Sequence, residues 1–425
     1  MKLIFHGGAR EVGRSCIELQ TGGDRYLLDC GVKFTEHGFS YPQRLSKLKE
    51  IDGVFLTHSH LDHTGGLPFF EHKNLPGPFF CTAQTKVLAR VLLKDSFEVA
   101  RIRHLHPAFN KTDLKQVKKD IHAVRMDRPF DHRKLRVTFK NAGHIPGSAS
   151  VLIETEGKRL LYTGDLNVKP SMLMEEARPD YGPVDVLIVE STYGYRDLPD
   201  REVVAEDFLD RIQGVLRRGG SVLVPVFAVG RAQEILQILS RRKFKAPIYF
   251  DGMAKKITRH VLSNPSKYIK HKEELARMFY EVVRMPKGRK DREQIADKKG
   301  IFVTTSGMVQ GGPVMEYLKH MWHDPKSAVF LTGYQCKRTN GRNLLEHGYV
   351  YMKGWRTKVQ CEVDKFDFSG HSDRRALQEY IRAVNPKKLV IQHGDPESVE
   401  ALGKWAEEEL DAEVFTPDVR DKISV

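Results

Sequence analysis

The sequence is poor in cysteine. The five cysteines in 425 residues (Cys16, Cys30, Cys81, Cys336 and Cys361) lie far apart and include no CxxC pair. So sparse and odd a set argues against a disulfide framework and against cysteine-bound zinc. No run of about 18 apolar residues occurs, which excludes a membrane-crossing helix on hydropathy. The stretch Met1 to Gly8 reads as a short strand reaching glycines. It lacks the apolar core and cleavage site of a secretory signal, so a cytoplasmic protein is expected. Repeats and low-complexity segments are absent as well. Acidic charge is in deficit, with 55 Asp and Glu against 69 Lys and Arg, a net charge of +14. This bias suits a polyanionic partner, although a basic surface without that role carries the same sign.

What is present is an alternation of short apolar runs and helical patterns, the mark of an α/β chain, long enough for two domains. The first part is rich in strand candidates: 3–5, 25–28, 53–56, 135–139, 151–154, 159–162 and 186–189. From Glu202 the pattern changes. Helix 202–216, strand 221–226, helix 231–239, strand 248–250 and helix 254–262 predict a parallel sheet with crossover helices. A strand near 359–368, helix 374–384, strand 388–391, helix 398–408 and strand 413–415 close the chain. The charged stretch 287–299 reads as a solvated loop or helix end. Val12–Leu19 looks strand-like, so Gly7 to Gly13 is no dinucleotide loop.

The most telling stretch is His58-Ser59-His60-Leu61-Asp62-His63, at the end of the strand-like run 51–57. Three imidazoles and a carboxylate in six residues are metal-preferring groups, suited to zinc. The chain's turn lets His58 and His60 serve one point and Asp62 and His63 a second, as two-metal hydrolysis requires. Other Asp, Glu and His residues fall just past the ends of apolar runs: Asp29, His144, Asp165, Glu190, His371 and His393. Any one could be a turn residue. Together they predict a site at strand ends, where loops vary over a rigid sheet. Two further places favour anions. Ser306 and Gly307 precede a helix opening at Pro313, and Gly230-Arg231 opens another. Plain helix starts would look the same. Ser372-Asp373 reads as an N-cap.

HxHxDH, with Asp29 upstream and His144 and Asp165 downstream, resembles the metallo-β-lactamase fold. Glu190-Ser191-Thr192-Tyr193-Gly194, then His371 after a long insertion, then His393, resemble the motifs of β-CASP nucleases. So do Phe227 to Glu234, Thr305 to Met308 and Thr332 to Gln335. The likeness spans the whole chain. It is greatest to archaeal homologues of the cleavage and polyadenylation specificity factor endonuclease, in the short form without KH domains. His393, where DNA-repair relatives carry an apolar residue, resembles the RNA-processing side.

The resemblance implies an αββα sandwich from residues 1–194 and 366–425, with an α/β β-CASP domain inserted at 195–365. It implies two zinc ions. One would be held by His58, His60, His144 and Asp165, the other by Asp62, His63, Asp165 and His393. Asp29 would orient a ligating histidine. Water activated by the metals would attack phosphorus, while His371, its tautomer held by Glu190, protonates the leaving oxygen. Arg231, Ser306, Gly307, Ser369 and Gly370 are the candidate substrate contacts. The expected substrate is single-stranded RNA, since a duplex is too wide to reach a buried metal pair, with endonucleolytic and possible 5′→3′ exonucleolytic cleavage. A homodimer or an RNA-processing complex is a further expectation, with tail residues 421–425 as a contact. The rival readings are a thioester or lactam hydrolase of the same fold and a non-catalytic RNA-binding scaffold.

Overall fold

The computed structural model describes residues 1–425 except 36, 37, 49, 74, 76, 106 and 265. The chain divides into two compact units: Met1–Pro170, Glu175–Asp197 and His371–Val425 in the first, Ser171–Met174 and Leu198–Gly370 in the second.

The first unit is built on two seven-stranded sheets. One runs in the order Lys422–Ser424, Lys2–Gly7, Cys16–Thr21, Asp24–Leu28, Gly53–Phe55, Phe79–Thr82, Ile121–Val124. The other runs Glu413–Phe415, Lys388–Gln392, Val186–Glu190, Lys158–Tyr162, Ala149–Thr155, Leu135–Asn141, Phe130–His132. Strand alternation decides what faces what. Leu3, Phe5, Ile17, Leu19, Tyr26 and Leu28 point inward and meet Val137, Phe139, Val151, Ile153, Leu160, Tyr162 and Ile188 in one core cluster. Each such side chain, buried whole, contributes roughly 1.5–3 kcal/mol. The alternate residues are buried too. Leu27, Val54 and Leu56 pack with Leu93 and Phe97 of the helix Ala83–Ile102 and with Leu114 and Val117 of the helix Lys111–Asp120. Leu161, Leu187 and Val189 pack with Leu377 and Ile381 of Arg374–Val384 and with Val399 and Leu402 of Pro396–Glu409. The layers are therefore helix, sheet, sheet, helix. Burial on both faces is why these strands read as unbroken apolar runs.

The second unit holds a five-stranded sheet, order Ile248–Asp251, Ile301–Thr304, Val222–Pro225, Ala328–Leu331, Glu362–Lys365, with every pair parallel. Its helices Arg231–Ser240, Met253–Ser263 and Pro313–Met321 all have a glycine as N-cap.

Several local readings change. The strand-like stretch 12–19 becomes strand only at Cys16, because Gly13 and Arg14 adopt positive φ and bend the chain. The charged stretch 287–299 contains the helix Arg289–Ala296, none of whose residues is buried, yet Arg292 reaches inward to the carboxylate of Asp251 at 2.6 Å. Tail residues Lys422–Ser424 pair with Lys2–Ile4 of their own sheet, so the hydrogen bonds of one tail edge are already used within the chain.

Candidate metal centre

The strands Lys158–Tyr162, Val186–Glu190 and Lys388–Gln392 are parallel neighbours in register, with Tyr162 beside Ile188 and Glu190 beside Gln392. Their C-terminal ends therefore share one edge of the sheet, and Asp165, Glu190 and His393 stand there. Leu135–Asn141 runs the same way, two antiparallel steps from Lys158–Tyr162, and delivers His144. In the other sheet Asp24–Leu28 and Gly53–Phe55 are parallel and lead into Asp29 and residues 57–63. Extended chain carries His58 and His60. A helical turn, Leu61–Thr64, then redirects Asp62 and His63. Two close approaches require glycine. A Cβ on Gly31 would lie 1.6 Å from the carbonyl oxygen of Asp62, and one on Gly164, where φ is +57°, would lie 2.5 Å from Thr57 Cβ.

Ligand-type atoms converge in two groups around Asp165. His58 Nε2 is 3.2 Å from His60 Nδ1 and 3.4 Å from Asp165 Oδ2, and His144 Nε2 is 3.3 Å from His60 Nδ1 and 3.5 Å from Asp165 Oδ2. These four ligand atoms all lie within 4.8 Å of one another, close enough to share one ion of the kind that imidazole and carboxylate bind. The other carboxylate oxygen, Asp165 Oδ1, lies 3.3 Å from His63 Nε2 and 3.1 Å from His393 Nδ1. Asp62 Oδ2 is farther out, 3.9 Å from His63 Nε2 and 3.7 Å from His393 Nε2, and groups with His58 and His63.

The electrostatics call for a cation. His63 Nε2, Asp165 Oδ1 and both ring nitrogens of His393 are buried without a hydrogen-bond partner, a costly state that a metal ion would relieve. Burial pushes His58 and His60 below the ordinary imidazole range, so each offers a lone pair rather than a proton. Burial would lower His63 as well, but the carboxylates of Asp165, Asp29 and Asp62 outweigh it and raise that imidazole well above its usual value. Burial would raise Asp165, but the imidazoles of His63, His393, His58 and His371 hold it well below the carboxylate range.

Tautomers are set from behind. Asp29, fully buried, takes a 2.7 Å hydrogen bond from His63 Nδ1, leaving Nε2 toward Asp165. Asp29 also accepts from Thr57 N, Thr57 Oγ1 and Tyr162 Oη, each at 2.8 Å. Thr57 Oγ1, donating to Asp29, is left to accept from His58 Nδ1 at 3.0 Å. One carboxylate thus fixes His63 directly and His58 through a hydroxyl. Sequence reading missed Thr57 and Tyr162. The available signal was a hydroxyl residue beside each motif, Thr57 before His58 and Tyr162 before Thr163-Gly164-Asp165.

His371 Nδ1 donates to Glu190 Oε1 at 2.8 Å, and its Nε2 lies 4.0 Å from Asp165 Oδ2. Burial would depress this imidazole, but Glu190 and then Asp165 raise it to about 9. Glu190, itself fully buried, also accepts from the backbone amides of Leu166 at 2.7 Å and Thr192 at 3.2 Å. Ser372 N donates to Leu166 O at 2.8 Å, which ties the loop after Asp165 to the segment carrying His371. Asp373 caps its helix by accepting from Ala376 N at 2.9 Å.

The remaining candidates belong to the second unit. Arg231 is buried and ion-paired with Glu234, a carboxylate it shares with Arg201 at 2.7 Å. Ser306 Oγ accepts from Gln310 N at 3.1 Å, closing its own turn. Gly307 packs so near Phe227 that a Cβ would lie 3.0 Å from that residue's amide nitrogen. The carbonyl of Ser369 accepts from Arg201, and Gly370 follows it.

Comparison with known proteins gives the same architecture. Residues 24–207 match the beta-lactamase superfamily domain, 232–344 the Beta-Casp domain, and 356–417 the Zn-dependent metallo-hydrolase RNA specificity domain. The chain is 39% identical to Probable RNase MJ4 of Methanocaldococcus jannaschii over the full length of both. The chain belongs to the β-CASP metallo-β-lactamase family. Another member, RNase aCSPSF2 of Saccharolobus solfataricus, is 34% identical, over 99% of this chain and 84% of its own length. Transcription termination factor FttA of M. jannaschii is 35% identical over 93% of this chain and 67% of its own. A solved protein of unknown function from Enterococcus faecalis V583 superposes with a TM-score of 0.63 at 15% identity, covering 99% of both chains, and shows the fold alone. The metallo-β-lactamase fold implies divalent metal binding, and the His and Asp groups described above fit it. Among the described residues no helix is long and apolar enough to cross a membrane.

Proposed function

We propose that this β-CASP protein is a zinc-dependent ribonuclease that hydrolyses phosphodiester bonds of single-stranded RNA, with two metal ions per chain. The observation that carries this reading is the division of Asp165, one oxygen toward His58 and His144 and the other toward His63 and His393, beside a His371–Glu190 pair. In this reading His58, His60, His144 and Asp165 hold one ion, and Asp62, His63, Asp165 and His393 the other. The metallo-β-lactamase domain comprises residues 1–194 and 366–425, and the β-CASP domain 195–365. RNase and RNA-specificity descriptions among the relatives support RNA as the polymer bound.

Bound metals supply activated water at neutral pH and neutralise phosphate charge. The protein supplies the rest. Asp29 and Thr57 hold the imidazoles in the tautomers that face the metals. Glu190 takes the Nδ1 proton of His371 in a hydrogen bond, which leaves the Nε2 proton facing the cluster. As the P–O3′ bond breaks, Nε2 gives that proton to the departing O3′, and the products carry a 3′-hydroxyl and a 5′-phosphate.

The test combines elemental analysis with product mapping on 5′-labelled RNA. Two zinc ions per chain and discrete internal fragments are expected. A single ion per chain, or hydrolysis of thioesters in preference to RNA, would refute the assignment. Mononucleotides appearing first would move it to 5′→3′ exonuclease action.

A further inference from the structure

The hydrolytic chemistry leaves one surface of the second unit unexplained. Strands Tyr349–Met352 and Trp355–Lys358 form an antiparallel hairpin that turns at Lys353-Gly354, where both residues have positive φ. Val350 and Met352 are buried in the unit's core. Tyr349, paired with Lys358, and Tyr351, paired with Arg356, occupy the opposite face. Tyr351 is 51% exposed, whereas Trp355, paired with Met352 beside the turn, belongs to the other face of the ribbon. The Arg356 guanidinium lies 4.0 Å from the centre of the Tyr349 ring, and the His347 ring is nearly parallel to Tyr349, 11° off at 5.7 Å.

Large flat side chains held open to water are unfavourable unless something covers them. The charge around them indicates what that is. Residues 347–358 contain no Asp or Glu. Among the described residues, Lys353, Arg356 and Lys358 form no ion pair, whereas neighbouring Arg342 pairs with Glu346. Exposed aromatic faces flanked by unneutralised cations of one sign are how proteins hold single strands: bases stack on the rings and phosphates meet the cations. A protein partner would match the aromatics equally well. The three uncompensated charges favour a polyanion.

We infer that this hairpin is a docking surface for single-stranded RNA. Bases stack on Tyr351 and Tyr349, and Lys353, Arg356 and Lys358 contact the backbone. The choice of RNA rests on the ribonuclease reading, but the hairpin's role is read by binding alone.

Binding of a labelled oligoribonucleotide of about 15 nucleotides is measured by anisotropy in the metal-loaded full chain carrying His371→Ala to suppress turnover. Adding Tyr351→Ala should weaken binding about tenfold, whereas Tyr351→Phe should keep most of it. Arg356→Ala with Lys358→Ala should flatten the dependence of log K on log salt by about 1.4, roughly 0.7 for each lost phosphate contact. Thermal midpoints should stay at the parent value, since these side chains are exposed. Unchanged RNA affinity in both variants overturns the inference. So does unchanged RNA affinity with loss of self-association in sedimentation, which would make the hairpin an interface between copies. Should His371→Ala fail to suppress cleavage, the general-acid assignment falls, and the binding comparison is still readable from initial anisotropy.

Discussion

Both units gather loops at the C-terminal ends of parallel strands, and they fill that position in opposite ways. In the first, the strand ends carry Asp29, Asp165, Glu190 and His393, buried and turned on one another. In the second they carry Gly230, Gly252, Thr305-Ser306-Gly307 and Thr332-Gly333. The one buried acid at such an end there, Asp251, is matched by Arg292 at 2.6 Å, Lys255 at 3.0 Å and Tyr317 at 3.0 Å. A carboxylate with its cations inside the fold stabilises the fold. One facing imidazoles whose lone pairs point inward is prepared for a guest cation. The difference between structural and reactive acid lies in the partners, not in burial or position.

Substitutions should separate the two kinds. Asp165→Asn removes the negative charge and turns one of the two shared oxygens into an NH2 group that cannot bind a metal. Hydrolysis should fall further than the roughly 10⁴-fold upper range of a lost general acid, and elemental analysis should find metal well below the parent's. Full metal with residual activity would break the comparison. His371→Ala should lower kcat by about 10²–10⁴ with KM and metal content unchanged, and loss of metal instead would make His371 a ligand rather than the acid. Asp251→Ala should leave the rate per folded molecule unchanged and cost about 1–3 kcal/mol in denaturant unfolding, because half-buried Arg292 and Lys255 and the buried Tyr317 hydroxyl lose their acceptor. Arg292 leads the groups that hold the Asp251 carboxyl below its usual range against burial. The stability it adds is thus present above the unfolded carboxyl value and lost as pH falls through the lower folded value, so parent and variant should converge in acid. The smallest expected effect is that of Thr57→Val, which cuts the link from His58 to Asp29. Metal affinity in chelator competition should fall about tenfold, with the folded structure intact by circular dichroism. An unaltered affinity would mean that Asp29 acts on His63 alone.

Much of this was legible in the sequence because each piece of the site sits beside a strong local signal. Apolar runs end in Asp29, Asp165, Glu190 and His393, and buried parallel strands are what such runs become. The helices Arg374–Val384 and Arg231–Ser240 were similarly plain. The long helix Ala83–Ile102 was not, because the strand Phe79–Thr82 runs straight into it with only Thr82 as cap and no Gly or Pro between. Arg231 shows the same helix-start pattern whether or not it meets phosphate, and only the fold reveals its pairing with Glu234, a carboxylate shared with Arg201. Tyr162 hid in an apolar run. Only the folded chain shows its hydroxyl reaching Asp29, 133 residues away in sequence.

The order in which residues are made adds a consequence in time. Nearly all of the second unit is one continuous stretch, 198–370, whereas the reacting groups of the first range from Asp29 to His393. Its first sheet is complete only when Lys422–Ser424 lies beside Lys2–Ile4. During vectorial synthesis the inserted unit has all its strands before the host unit has its second histidine-bearing half. For a chain proposed to cut RNA, this is a delay built into connectivity: the imidazoles and carboxylates meet only after the whole inserted unit has been made and His393 has followed it.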